Sequence, residues 1–369
     1  MSLAAKDVRH RRKADLAPGP LFVVSMWRSG SSLLYALLNK HPQVGLMYEA
    51  DLLLLTAVFL KPKALCDWAE RWEFWNEAFQ RHGLAVTDVA EGVSNSPQAF
   101  AATHQLFAQR KGATIWGDKS PNYYDRLNEM ADDFPEARFI IVWRDANGTV
   151  NSILRAASLG NSYFSRAGAA HCGLLGNEVL KRECDRLVAR GKAVCQVHYE
   201  DLVRDTPLVM RQVCEFLEIP YDDSLSKLEG ADRSAIFEGK HHLNVKGDRI
   251  VGGARPSLAS AAMRTKISRY VALWRRLYGR DWPRHPEEAQ GPSLNRVLRW
   301  TDRALYCGLR CKDRVSPIIF SVISISLLRR YREMKKRRRE GKEMPLAGPV
   351  DAGGTSCATA IRARGEGRP

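Results

Sequence analysis

The apolar and polar positions of this chain alternate between short, continuous hydrophobic runs and longer stretches in which hydrophobic residues recur near helical spacing. Five runs read as strands: Leu21–Met26, a short one at Val44–Met47, Ala113–Trp116, Arg138–Trp143 and Ala193–His198. Continuous runs of this kind suit strands that are covered on both faces, as in a parallel sheet. Between them lie helical patterns, beginning with Leu33–Leu38 directly after the first run. The stretch Leu52–Ala113 reads as helices, including the apolar Leu53–Leu60 and the aromatic-rich Trp68–Trp75, whose rings are assigned to core rather than to a pocket wall. After the last run, Val209, Val213, Phe216 and Leu217 recur at helical spacing and assign most of that helix to core. Strands alternating with helices predict an α/β fold of three layers, α/β/α, around a central parallel sheet.

Length permits one large domain with appendages, because 369 residues of which 45% are hydrophobic can bury a full α/β core. The expected organisation is a disordered basic segment over 1–19, the main domain over 20–290, a helical extension over 291–340 and a disordered tail over 341–369. Within the extension, Leu294–Tyr306 reads as a basic amphipathic helix. Val315–Leu328 is apolar but too short for a standard membrane span, and Arg329–Arg339 is densely cationic. An apolar face beside such a run suits an anionic membrane surface through residues 315–339, and equally suits a helix docked on the core with a solvated basic tail. The formal charge of +16 points to polyanions, anionic membranes or acidic partners. Much of it sits at the two ends of the chain, and no nucleic-acid partner is expected.

Eight cysteines show no paired C-x-x-C spacing and several fall in apolar patterns, so reduced, buried thiols are expected. The segment Met1–Lys13 lacks the long apolar stretch of a secretory signal. Both features predict a cytoplasmic protein, with peripheral membrane association through the extension. Cys172 beside His171 is poor evidence for a metal, since no second ligand pair accompanies it.

Candidate chemistry begins where the first run meets the first helix, at Ser25-Met26-Trp27-Arg28-Ser29-Gly30-Ser31-Ser32. A strand feeding a helix through a Gly- and hydroxyl-rich turn presents unpaired backbone amides to an anion. This is not the G-x-x-x-x-G-K-[ST] loop, because there is one glycine and no lysine follows it. A second constellation follows the fourth run, in Arg144-Asp145 and Ser152. A helix starting near Asp145 would bring Ser152 back toward Arg144, so that one anion meets a planar cationic fork and a neutral hydroxyl.

Together these motifs resemble those of the sulfotransferases that use 3′-phosphoadenosine-5′-phosphosulfate (PAPS), and the likeness extends over roughly residues 20 to 250. The resemblance implies that Arg28, Ser29, Gly30, Ser31 and Ser32 form the 5′-phosphosulfate loop of a P-loop-like fold. It implies that Arg144 and Ser152 hold the 3′-phosphate, so that Arg28 and Arg144 would grip opposite ends of one nucleotide. A third segment, Gln196–Val203, looks like the family's strand followed by a Tyr-Glu-Asp-Leu turn, and its Val197-His198-Tyr199-Glu200 is similar to the tyrosylprotein branch, in which the tyrosine touches the nucleotide. Tyr199 reads otherwise as a core aromatic.

The same resemblance implies roles in catalysis. Lys119, in Gly117-Asp118-Lys119-Ser120-Pro121, corresponds to a lysine that contacts the sulfate-bearing phosphate, and is expected just after a strand. Glu49 keeps the spacing from Arg28 of the branch's catalytic glutamate, with Asp51 as the competing carboxylate and helix capping as the alternative for Glu49. Arg28 stands where members often have lysine, which preserves charge but makes a poorer proton donor. Lys246 and Arg249 look like a late basic segment of bacterial relatives that closes over the phosphates. Golgi members carry an amino-terminal anchor, from which this sequence departs.

The implied reaction is transfer of a sulfo group from PAPS to a hydroxyl or amine acceptor, releasing adenosine 3′,5′-bisphosphate (PAP), with no metal required. Carbohydrate, lipid, small alcohol and protein tyrosine all remain as acceptors, and the oligomeric state is open. Two other classes stay in view: a kinase on the same loop architecture, disfavoured by the missing Gly-Lys-Ser/Thr, and a catalytically inactive nucleotide-binding or membrane-associated protein. Retention of Glu49, Lys119, Arg144 and Ser152 together speaks against the latter.

Overall fold

The computed structural model describes residues 16–54, 78–85, 88–89, 93–166, 168–236 and 257–278, with isolated positions between 245 and 337. Five strands are present: β1 (Leu21–Ser25), β2 (Val44–Tyr48), β3 (Ile115–Lys119), β4 (Arg138–Trp143) and β5 (Ala193–His198). They form one sheet in the order β2-β3-β1-β4-β5, and every neighbouring pair is parallel. The helices that bear on the site are α1 (Ser31–Leu38), α2 (Ser96–Lys111), α3 (Leu127–Asp133), α4 (Ala146–Ser158), α5 (Ala169–Ala189), α6 (Tyr199–Arg204), α7 (Thr206–Leu217) and α8 (Ala261–Tyr278).

Alternate residues of each strand divide between two apolar layers, as the twofold period of a strand requires. Leu21, Val23, Ile140 and Val142 pack with α1 and α7 on one face. Phe22, Val24, Phe139, Ile141 and Trp143 pack with α2, α3 and α5 on the other, where the ring of Phe22 meets Phe100, Tyr123, Phe134 and Phe139. A third cluster joins α4, α5 and α8 through Val150, Ile153, Leu174, Ile267 and Val271. The fold is therefore the three-layer α/β/α arrangement that the apolar pattern predicts.

From central β1 the chain first crosses outward to β2, then returns to β3 and passes over β1 to β4. Right-handed crossovers running in opposite directions along a sheet must lie on opposite faces, and α1 indeed lies opposite α2 and α3. The chain thus leaves the carboxyl end of β1 toward one face and the ends of β3 and β4 toward the other. This reversal opens a crevice at the strand ends, the usual ligand position in such sheets.

Two elements differ from the sequence expectation. The third strand runs to Lys119 rather than ending at Trp116, so Lys119 is its last residue and not a loop residue beyond it. Gly117 allows this: it pairs with both Leu21 and Leu46, and a Cβ there would stand 1.9 Å from the Leu21 carbonyl oxygen. Polar Asp118 and Lys119 are carried into the core by their neighbours' pairing, which hydropathy alone does not show. The Tyr-Glu-Asp-Leu segment forms a short helix, α6, rather than a turn; Glu200 and Asp201 in its first turn suit the positive helix end. Asp145 caps α4 by accepting a 2.7 Å hydrogen bond from the Gly148 amide, and the buried face of α7 carries Val209, Val213 and Leu217, with Phe216 only half-buried.

Cys172, Cys184 and Cys214 are buried, Cys195 is half-buried, and Cys307 and Cys311 are exposed. Burial pushes the Cys184 thiol up to about 11. Tyr306, from the stretch expected as an amphipathic helix, packs against the core and bonds through its hydroxyl to the Tyr124 hydroxyl at 2.8 Å. The chain divides into a unit spanning Met1–Ile325 and another spanning Ser326–Pro369. In the second, the described residues Ser326, Leu327, Arg330, Tyr331, Glu333, Met334 and Arg337 are helical and exposed. Among the described residues no helix is long and apolar enough to cross a membrane. Trp68–Trp75, Lys246, Arg249 and most of residues 294–325 lie outside the described residues.

Candidate active site

The loop after β1 turns through two left-handed residues, Arg28 at φ 63° and Gly30 at φ 96°. Gly30 then starts α1 without a side-chain cap, and its carbonyl accepts from the amides of Leu33 and Leu34. The Ser31 and Ser32 amides are therefore left without an intrahelical acceptor, which makes the helix end a place for an anion. Ser29 Oγ is buried and makes no hydrogen bond, while Ser25 Oγ donates to Ser31 Oγ at 2.8 Å and fixes the base of the loop.

Gly30 is required on two counts. A side chain would be strained at its positive φ, and a Cβ would fall 2.2 Å from Cδ2 of the Tyr199 ring. Tyr199 thus lies directly against the loop, and the Arg144 guanidinium sits over the Tyr199 ring with its central carbon 4.2 Å from the ring centroid. Arg144 Nη1 donates to the Arg28 carbonyl at 2.9 Å, and Arg28 Nε donates to Ser152 Oγ at 3.1 Å. The two phosphate motifs are thus in direct contact with one another. Arg144 Nε is buried with no hydrogen-bond partner. Burial pulls Arg28 down from the ordinary arginine value, a cost that an anion beside it would offset. Beneath Arg144, Glu200 accepts from the Asp145 amide at 3.1 Å, and burial pushes its carboxyl up to about 7.

The ends of β2 and β3 supply a second cluster. Lys119 Nζ lies 2.5 Å from Glu49 Oε1, with side-chain exposures of 2% and 15%. The same ammonium donates to Ser32 Oγ at 3.1 Å and sits 4.1 Å from the centroid of the Tyr48 ring, whose hydroxyl is 2.8 Å from Ser32 Oγ. Lys119 therefore links the candidate base to the anion loop. The Glu49 amide donates to the Lys119 carbonyl at 2.8 Å, and both Glu49 and Asp51 have left-handed backbones, at φ 49° and 53°. Such conformations in residues other than glycine cluster at functional sites because surrounding contacts must hold them.

Asp51 points away from this pair. It accepts from Ser120 Oγ and, at 2.7 Å, from Asn122 Nδ2, and burial together with the nearby Glu49 charge pushes it up to about 6. Asp118 is buried beside it, accepts from the Ala50 amide and the Tyr123 hydroxyl, and is raised well above the carboxylate range. The two carboxylates thus face different ways: Glu49 faces Lys119 and the loop, Asp51 faces the segment after β3.

The structure brings Arg28, Ser29, Gly30, Ser31, Ser32, Glu49, Lys119, Arg144, Ser152 and Tyr199 to one end of the sheet. Lys246 and Arg249 lie outside the described residues, although the neighbouring Gly247 carbonyl accepts from Arg233 at 2.9 Å. Sequence reasoning missed Tyr48, Trp27, Ser120 and Asn122. Tyr48 lies one residue past the expected Val44–Met47 run and is the last residue of β2, and Asn122 carries a cue only in following Ser-Pro, a common start for a helical turn.

Residues 20–223 match the sequence model of the Sulfotransferase family. The chain belongs to that family. It is 26% identical to Protein-tyrosine sulfotransferase A of Caenorhabditis elegans over 209 residues, which is 56% of this chain and 51% of that protein. It is equally 26% identical to Protein-tyrosine sulfotransferase 1 of Danio rerio over 207 residues, 56% of this chain and 54% of that one. The chain thus spans about half the length of the curated relatives it matches. Among solved structures, it is similar to the sulfotransferase domain from the curacin biosynthetic pathway, with a TM-score of 0.48 and 19% identity over 79% of this chain and 99% of that one.

The buried ion pair generates a stability prediction. Lys119→Met leaves the Glu49 carboxylate without its partner and is expected to lower the unfolding free energy by about 3 kcal/mol. Lys119→Met combined with Glu49→Gln should recover most of that loss in urea denaturation. Equal losses in the single and double variants would show that the two groups are uncoupled.

Proposed function

We propose that this chain transfers a sulfo group from PAPS to a hydroxyl acceptor. The observation that carries the proposal is the meeting of the helix-end loop, Arg144 and Ser152 with the Glu49–Lys119 pair at the ends of adjacent strands. The unpartnered, buried Ser29 Oγ and Arg144 Nε fit a bound anion, since groups of that kind are costly without one.

In this reading the loop amides and Arg28 receive the 5′-phosphosulfate, and Arg144 with Ser152 receives the 3′-phosphate. The acceptor oxygen attacks sulfur as the bond from sulfur to the 5′-phosphate oxygen breaks. Glu49 takes the acceptor proton, and the departing phosphate carries off the negative charge that Arg28 and Lys119 stabilise. Lys119 also supplies what Arg28 cannot easily give, a proton for the leaving oxygen, because a guanidinium holds its protons more tightly than an ammonium. Two relatives are named for protein tyrosine, so a tyrosine-bearing peptide is the first acceptor to assay.

Calorimetry on the purified protein should show PAP binding more tightly than AMP or ATP, with Arg144→Ala removing the preference. Equal affinity with and without the 3′-phosphate would overturn the assignment of Arg144 and Ser152. In turnover with PAPS, Glu49→Gln should leave nucleotide affinity near that of the natural sequence while lowering kcat by about a hundredfold or more; a fully active variant would move the base elsewhere.

A separate observation favours an anionic membrane surface as a partner. Leu327, Tyr331 and Met334 are exposed on helix at spacings of four and three, so they share one face. Arg329–Arg339 holds eight basic residues and one acidic, a density that suits an anionic leaflet. We propose peripheral attachment through this face. The full chain should sediment with vesicles containing phosphatidylserine at low salt but not with phosphatidylcholine alone, and salt or Leu327→Glu should weaken it. A chain that ignores anionic vesicles at low salt would overturn the attachment.

A further inference from the structure

Asp51 is half-buried with both carboxylate oxygens hydrogen-bonded, yet the proposed chemistry gives it no part. Its partners suggest what it does. Its carboxylate accepts from Ser120 Oγ and Asn122 Nδ2 just beyond β3. Ser120 Oγ in turn accepts from the Asn122 amide at 3.1 Å, and the Ser120 amide donates to the Val23 carbonyl of β1 at 3.1 Å. At its other end the Asn122 side chain is also occupied, since its Oδ1 accepts from Trp27 Nε1 at 3.3 Å. Trp27 is only 4% exposed and immediately precedes left-handed Arg28. Its ring is braced edge-on by Tyr163, with centroids 5.0 Å apart.

We propose that Asp51, Asn122 and Trp27 form a positioning relay that holds the Trp27–Ser32 loop in its anion-receiving conformation. The relay crosses three strand ends, from β2 through the segment after β3 to the loop after β1. Asn122 is the joint, because its amide offers a donor to Asp51 and an acceptor to Trp27 at once. Its direction is fixed: Asp51 accepts only, the indole N–H donates only, and a reversed amide would face both partners wrongly. The loop needs such a hold because Arg28 occupies a backbone region that L side chains rarely adopt, and α1 begins with no cap of its own. These residues are positioning residues; none of them is assigned to the nucleotide itself.

The inference rests on the reading of the loop as a nucleotide site, and the experiment separates the two. Affinity for PAP is measured by calorimetry, and kcat and KM for PAPS are measured alongside, for the natural sequence, Trp27→Phe, Asn122→Ala and the double variant. Trp27→Phe keeps the ring and deletes only the indole donor, so it tests the relay even if Asn122→Ala or an Asp51 variant folds poorly. Each single variant is expected to weaken PAP binding about tenfold and to raise KM for PAPS similarly, with kcat at saturation nearly unchanged. The double variant should lose little more than either single one, since both break the same link. Natural-sequence binding of PAP with unaffected variants, or fully additive losses, would overturn the relay alone. Failure of the natural sequence to bind PAP would overturn the nucleotide site and the relay with it.

Discussion

The reversal of chain direction at β1 is the constraint on which the rest of the molecule depends. Because β1 is central and its helix leaves toward the face opposite α2 and α3, the strand ends of β1, β3 and β4 cannot be closed over by a single connection. The crevice follows from connectivity and handedness. Its chemistry is then decided by which residues happen to terminate the strands. Arg28 follows β1, Glu49 follows β2, Lys119 ends β3, Arg144 follows β4 and Tyr199 follows β5. Each strand contributes one functional group at the same end of the sheet, so parallel pairing itself assembles the constellation from residues far apart in sequence.

Local backbone strain makes that assembly usable. Of the residues with left-handed backbones other than glycine among those described, Arg28, Glu49 and Asp51 all lie at these strand ends, and Glu218, at the end of α7, is the remaining one. Left-handed conformations turn successive side chains in directions that neither a strand nor a helix would give. That is how Glu49 can face Lys119 while Asp51, two residues on, faces Ser120 and Asn122. The strain is held by paired backbone groups: the Glu49 amide on the Lys119 carbonyl, and the Ala50 amide on Asp118. Three carboxylates in one small volume would repel if all were ionised. Burial raises Asp118 well above the usual carboxylate range and lifts Asp51 to about 6, and it is Glu49 that pairs with the lysine.

Much of this was legible in the sequence, for identifiable reasons. The apolar runs of β1 and β4 announced themselves because a doubly covered strand leaves little room for polar residues, and the observed bounds of β4 and of the edge strand β5 coincide with the expected runs. The phosphate motifs were legible because they are contiguous or nearly so. The end of β3 was not, since Gly-Asp-Lys looks like a loop until its pairing with both neighbours is known. The contact of Arg28 with Ser152, the packing of Tyr199 on Gly30 and the bond from Trp27 to Asn122 were also hidden. Each joins residues about a hundred or more positions apart through side-chain geometry, which periodicity does not encode.

The contrast between the two kinds of cation follows from their neighbours. Arg28 and Arg144 are joined to one another through a backbone carbonyl, and Arg144 is stacked over Tyr199, an arrangement suited to planar, permanently charged groups that hold an anion in place. Lys119 instead contacts a carboxylate, a hydroxyl and a ring face with one compact ammonium. An ammonium with several partners of similar geometry can shift between them as charge moves, whereas the arginine pair is tied into the backbone of the loop. The proposed reaction, in which an anion is first bound and then departs, would use both kinds of cation. The fixed pair sits where the anion loop meets the end of β4, and the adjustable one sits between that loop and Glu49.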